Sequence, residues 1–150
     1  MEYLIKDASF ELVDQIERLE KLCFSSPWSA AQIKTQLKDN QHEFIAAVAD
    51  DKLLGYVGMM YVLDEGYIAN VAVSPEYRRL GIADALIEKL LLISDELGLS
   101  FVTLEVRASN IPAIGLYTKH GFLPVGRRKN YYDLPKEDAI LMTKYLNRGN

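Results

Sequence analysis

A strand, a short basic loop and the start of a helix follow one another over Val71-Ala72-Val73-Ser74-Pro75-Glu76-Tyr77-Arg78-Arg79-Leu80-Gly81-Ile82-Ala83. The first amides of a helix have no intrahelical partner and point outward, and the macrodipole adds about half a positive charge there. Such a site suits a phosphate. Gly81 lets the backbone come close to a ligand, Ala83 puts only a methyl in the way, and Arg78 and Arg79 add formal charge. The same residues also read as an ordinary strand-to-helix turn with two solvated arginines, and spacing alone leaves both readings open. A dinucleotide-binding G-x-G-x-x-G is absent. Gly121-Phe122-Leu123-Pro124-Val125-Gly126 has the glycine spacing of a Walker loop, but Arg127-Arg128 replaces its Lys-Ser/Thr pair and the segment follows a helix.

Glu105 is the anomaly of its strand, because its neighbours Phe101, Val102, Leu104 and Val106 are apolar. A carboxylate in such a place needs a partner or a task. Alternation puts it on the face of Phe101 and Thr103, with Arg107 two residues along as the arginine within reach of an ion pair. Tyr117, on a short helix beyond that strand, reads as an amphipathic core tyrosine with a wet hydroxyl. Asn110 is placed to cap that helix. His42 and His120 look structural, the latter at a helix C-terminus, where positive charge is favourable. Two His and one Cys leave no metal cluster, and no Ser-His-Asp or Cys-His set is evident.

The elements that must carry these residues follow from hydropathy. Tyr3-Leu4-Ile5 reads as a first strand. Leu12, Val13, Ile16, Leu19, Leu22 and Cys23 recur at helical spacing, with Glu11, Asp14, Glu17, Arg18 and Lys21 opposite. After Pro27-Trp28, Ser29 is placed to cap a second helix carrying Ile33 and Leu37 inward. Strands are expected over 44–49, 53–62 and 67–73, with a turn at Asp50-Asp51-Lys52 and a bulge near Gly55 or Gly58. A long helix from Gly81 to Gly98, a strand over 101–106, a short helix over 112–120 and strands over 122–126 and 139–145 complete the chain. A polar, tyrosine-rich loop joins the last two. The fold class is α/β (α+β): a mixed, mostly antiparallel sheet flanked by helices, with one βαβ crossover, spanning residues 1–150 as a single domain.

Arg78-Arg79-Leu80-Gly81-Ile82-Ala83, between a strand and a long helix, resembles the R/Q-x-x-G-x-G/A loop of the GNAT (Gcn5-related) N-acetyltransferases, with alanine where glycine is commonest. The resemblance implies acetyl-CoA as co-substrate. Its pyrophosphate would be held by the amides from Arg78 to Asp84. Val71-Ala72-Val73 would bulge, pair with the pantetheine and offer an N–H to the thioester carbonyl, a donor of the oxyanion-hole type. Cys23-Phe24-Ser25-Ser26-Pro27-Trp28-Ser29, Leu104 to Tyr117, Gly121-Phe122, Arg127 to Tyr132 and Glu137 to Met142 are similar to the RimI-type subfamily. Those bacterial enzymes acetylate the N-terminal alanine of small-subunit ribosomal protein eighteen. By that resemblance Glu105 is the general base and Tyr117 the general acid toward the departing thiolate, while Asn110 also bonds the cofactor. Trp28 and Arg127 to Asp133 are then the places for peptide contacts. Trp28 equally reads as core filling, and the basic residues as a solvated strand end. Gly115 stands in a helix where the family more often has alanine.

Composition narrows the classes. The chain has 150 residues, 49% hydrophobic and 25% charged, with a net charge of −4. That length needs no disulfide or metal staple, and the balance is that of a folded soluble domain. Acidity argues against a general nucleic-acid binder and favours a basic protein partner at long range. One cysteine, read as a small core residue, allows no internal disulfide, and neither a signal peptide nor a membrane span is legible. A cytoplasmic, monomeric enzyme without a metal is the expectation.

Overall fold

The computed structural model describes residues 2–146. Seven strands form one sheet in the order β1-β2-β3-β4-β5-β7-β6. The strands are β1 (Leu4–Asp7), β2 (His42–Ala49), β3 (Lys52–Val62), β4 (Glu65–Val73), β5 (Phe101–Arg107), β6 (Leu123–Asp133) and β7 (Lys136–Tyr145). The helices are α1 (Val13–Cys23), α2 (Ala30–Lys38), α3 (Ile82–Glu96) and α4 (Ile111–Lys119). Every neighbouring pair is antiparallel except β4–β5, the two strands joined by the α3 crossover.

Local chemistry sets the ends of these elements. Ser29 caps α2 in a capping box, its hydroxyl accepting from the Gln32 amide while the Gln32 side chain accepts from the Ser29 amide. Asn110 caps α4, accepting the Ala113 amide at 3.2 Å. Gly81 adopts φ +78°, a left-handed conformation natural to glycine, immediately before α3.

Two cores lie on opposite faces of the sheet. On one, α3 and Phe122 pack on Ile45, Val57, Met59, Val102 and Leu104. On the other, Ile16 and Leu19 of α1 and Ile33 of α2 pack on Phe44, Ala46, Tyr56 and Ala72. Among the described residues, α1 and α2 cover the second face over β2, β3 and β4. No described helix is long and apolar enough to cross a membrane.

The structure departs from the sequence expectations in four places. The tyrosine-rich segment is strand rather than loop, since β6 runs on to Asp133 as the outer edge of the sheet. Its exposed polar surface hides the strand period. Leu22, expected inward, is exposed. Ala69 rather than Val71–Val73 is the unopposed residue of β4, because the ladder jumps from Gly58–Asn70 to Met59–Ile68 while Gly55 to Gly58 pair regularly with Val73 to Asn70. Cys23, expected in the core, is half-buried and borders a cavity.

Packing predicts opposite outcomes at two glycines. A Cβ on Gly55 would lie 2.8 Å from the Ala72 carbonyl oxygen, whereas one on Gly115 meets nothing within 4 Å. In urea unfolding, Gly55→Ala should destabilise the fold by about 1–3 kcal/mol through overpacking. Gly115→Ala should stabilise it by about 0.5–1 kcal/mol through helix propensity.

Candidate active site

β4 and β5 are hydrogen-bonded only at Glu65–Phe101, Gly66–Val102 and Tyr67–Thr103. Beyond Tyr67 they part, and a cavity of about 250 Å³ opens between Ile68–Val71 of one strand and Leu104–Arg107 of the other. Facing edges of both strands there have no ladder partner. The outer edges remain paired, β4 with β3 and β5 with β7. Unpaired backbone groups in such a cleft are ready donors and acceptors for an amide-bearing ligand.

Glu105 and Tyr117 both line this cavity, together with Asn110. They reach it from opposite faces of the sheet. Val102, Leu104 and Val106 point into the core under α3, so alternation turns Glu105 to the other face. Tyr117 lies 8% exposed in the α3-side core, edge-on to Phe122 with ring centroids 5.8 Å apart. Burial pushes its phenol above the usual range.

Both oxygens of Glu105 are engaged. The Tyr67 hydroxyl donates to Oε1 at 2.6 Å, and Arg128 Nε lies 3.0 Å from Oε2. The ion pair read from the sequence is therefore present, but with Arg128 of β6 and not with Arg107. Arg107 turns instead to Glu137 at 3.3 Å, to the Pro135 carbonyl at 2.8 Å and over the Tyr132 ring at 4.3 Å. It thereby braces the β6–β7 turn that carries Tyr132 to the cavity. Glu105 is only 7% exposed while Arg128 is 55% exposed, so the guanidinium covers the carboxylate from the solvent side.

The basic loop forms a second hollow of about 270 Å³, bordered by Val73, Arg78, Arg79, Gly81, Ile82, Ala83 and Asp84 on one side and by Pro112, Ala113 and Leu116 of α4 on the other. The first intrahelical bond of α3 runs from the Ala85 amide to the Gly81 carbonyl. The amides of Ile82, Ala83 and Asp84 precede it and are free for an anion. Leu80 is exposed at the tip of the loop. Arg78 does not extend toward those amides: its Nε donates to the Val73 carbonyl at 3.2 Å, and Nη2 lies 3.8 Å from Cys23 Sγ. The Asp84 side chain is likewise occupied, bonded to His120 at 2.8 Å and paired with Lys119 at 3.1 Å. His120 above all holds that carboxyl below the usual range. The pair ties the start of α3 to the end of α4.

A third hollow of about 290 Å³ lies between the loop after α1 and the β6–β7 hairpin, lined by Trp28, Tyr131, Tyr132 and Asp133 among others. Arg127 is elsewhere, on Asp138 at 2.7 Å, and Lys129 is exposed on the strand edge. Trp28 serves both readings, packing on Phe44 at 6.1 Å while bordering the hollow.

One functional-looking residue escaped the sequence reading. Glu20 is fully buried and accepts from the Trp28 amide, the Asn70 side chain and the Tyr56 hydroxyl. Its signal was available, since Ile16, Leu19, Glu20 and Cys23 share one helical stripe at i, i+3, i+4 and i+7. Among the described residues, no three His, Cys, Asp or Glu side chains are grouped so as to hold a metal ion.

Burial raises the phenols of Tyr67, Tyr117 and Tyr132, the last to about 12. Unfolded phenols ionise near pH 10. Stability from these neutral phenols is thus full below about pH 10 and is lost as pH rises through the folded values. An absorbance titration of the nine tyrosines should show a late fraction that ionises only as the fold is lost. A single wave near pH 10 with the fold intact would contradict this.

Residues 13–122 match the acetyltransferase (GNAT) family. A [ribosomal protein bS18]-alanine N-acetyltransferase of Haemophilus influenzae is 36% identical, over 95% of this chain and 96% of its own length. An N-alpha-acetyltransferase of Sulfurisphaera tokodaii is 33% identical, over 97% and 94% respectively. The crystal structure of the ribosomal-protein-S18-alanine N-acetyltransferase of Escherichia coli superposes with a TM-score of 0.91 at 29% identity, covering 99% of this chain and 97% of that one. With its strand-flanked cleft and free helix-start amides, the chain belongs to the GNAT family and is an N-acetyltransferase.

Proposed function

We propose that the chain transfers the acetyl group of acetyl-CoA to the N-terminal α-amino group of a protein, in the first instance the alanine of ribosomal protein bS18 named for its relatives. The observation that carries this reading is the gap between β4 and β5, which Glu105 and Tyr117 border from opposite faces of one sheet.

Acetyl-CoA supplies an acyl group already activated as a thioester. The residues fit such a ligand: free amides at Ile82 to Asp84 suit a diphosphate, and the edge of β4 from Ile68 to Ala72, which has no β5 partner, suits the amides of a pantetheine arm. In this reading an N–H of Val71–Val73 polarises the acyl carbonyl. Glu105 accepts the proton of the attacking ammonium, directly or through one water, and Tyr117 donates its proton to the leaving sulfur. Asn110, at the mouth of α4, borders the same cavity.

The acceptor's acidity supports an α-amine over a lysine. An α-amino group titrates near 7.7–8.0 and a lysine near 10.4, so at pH 7 roughly a tenth of the former but under a thousandth of the latter is neutral. One carboxylate suffices for the first task. The hollow beside Trp28, Tyr131 and Tyr132 opens on the Glu105 face, so the peptide has its own approach to the cleft.

An alanine-started bS18 peptide should be acetylated far faster than the same peptide with a blocked terminus and a free lysine. Equal rates, or preference for the lysine, would overturn the proposal. Glu105→Gln should lower kcat by about 10²–10⁴ and leave acetyl-CoA affinity unchanged by calorimetry, as loss of a general base requires.

A further inference from the structure

Glu20 of α1 is 0% exposed and accepts three donors from three different places in the chain. Its Oε1 takes the Trp28 backbone N–H at 2.8 Å, and its Oε2 takes the Asn70 Nδ2 at 2.8 Å together with the Tyr56 hydroxyl. Tyr56 is itself fully buried on β3 and stacks on Phe44 at 5.8 Å. One turn earlier on α1, Glu17 accepts the Ala30 amide at 2.7 Å. The loop from Phe24 to Ser29 is therefore hung from two carboxylates of α1. Asn70 borders both the β4–β5 cavity and the hollow beneath that loop.

A buried carboxylate is an expensive way to fill a core. Desolvation raises the Glu20 carboxyl above its usual range, and a well-packed apolar side chain would avoid that cost. Three converging donors explain the choice, because only an ionised carboxylate is acceptor-only on both oxygens. A glutamine in its place would turn an N–H₂ toward a donor and break one of the three contacts.

We propose that Glu20 is a positioning residue for the acceptor peptide: through Trp28 and Asn70 it fixes the wall of the cleft against which the incoming N-terminus lies. This rests on the reading of the chain as an N-terminal acetyltransferase. The diphosphate end of the co-substrate is held by other elements, the α3 start and α4, which Glu20 does not touch. Glu20 meets β4 through the Asn70 side chain, whereas a pantetheine would pair with the β4 main chain. Losing the tether therefore affects the two substrates unequally.

The test compares the full-length wild type with Glu20→Gln, Tyr56→Phe and, as a packing control on the same helix, Leu19→Ala. Glu20→Gln should raise KM for an alanine-started peptide about tenfold, the size expected for one lost hydrogen bond to a charged group, with KM for acetyl-CoA unchanged. Tyr56→Phe keeps the ring and removes one donor, so it should move the peptide KM in the same direction by less. Leu19→Ala should lower Tm and leave both KM values alone. Should Glu20→Gln fail to fold, Tyr56→Phe carries the same comparison. Equal changes in both KM values, or no change in either, would reduce Glu20 to a residue of the core. Amide hydrogen exchange gives a reading independent of turnover: the Trp28 N–H should be protected in the wild type and faster in Glu20→Gln. An unprotected Trp28 amide in the wild type overturns the tether alone. A wild type that acetylates no peptide overturns the functional reading and this role with it.

Discussion

The incomplete ladder between β4 and β5 is the constraint on which the rest depends. Three paired positions hold the two strands in one sheet, and past Tyr67 their facing edges separate. A fully zipped sheet would divide the molecule into two faces with no passage between them. Here the parted strands make a slot through the sheet, so a group on the α3 face and a group on the other face can meet at one point. Tyr117 and Glu105 stand on those two sides. The slot also leaves main-chain donors and acceptors without ladder partners, an arrangement ordinarily unfavourable in a protein interior and useful only where something else takes their place.

In the proposed reaction, separate faces would give the two reactants separate entrances. The helix-start amides and α4 frame one side, where Asp84 and His120 bind the ends of α3 and α4 into a single wall. The loop after α1 and the β6–β7 hairpin frame the other, where Arg107 braces the turn and Arg128 covers Glu105. Two ligands approaching from opposite sides can be bound together without competing for space, which a direct transfer between them requires.

Much of the scaffold was legible in the chain's own pattern. The α1 stripe, the Ser29 and Asn110 caps and the Gly81 start of α3 are local features, decided by residues a few positions apart, and the sequence displays them. The anomalous polarity of Glu105 was legible too, since an apolar strand sets it off. Its partner was not. Arg128 reaches it through the β6–β7 register, which includes an irregularity between Arg128 and Tyr132 that no period of two can reveal. The sequence shows the first part of the outer strand, over 122–126, but not its continuation to Asp133, for a related reason: a strand exposed on both faces has no buried stripe to betray it. Glu20 lay in plain view on an apolar stripe, yet its three donors come from β3, β4 and a loop up to 50 residues away, contacts only the fold assembles.

The outer position of β6 has a bearing on how this protein behaves in a crowded solution. An eleven-residue strand at a sheet margin has an outward edge without a further strand beside it, the kind of edge on which a second chain can add. Pro124 has no N–H to offer, Arg127, Arg128 and Lys129 place charge on the strand, and the register shift between Arg128 and Tyr132 interrupts its regularity. The strand that covers the Glu105 carboxylate and lines the hollow beside Trp28 thus also discourages neighbouring copies from zipping together.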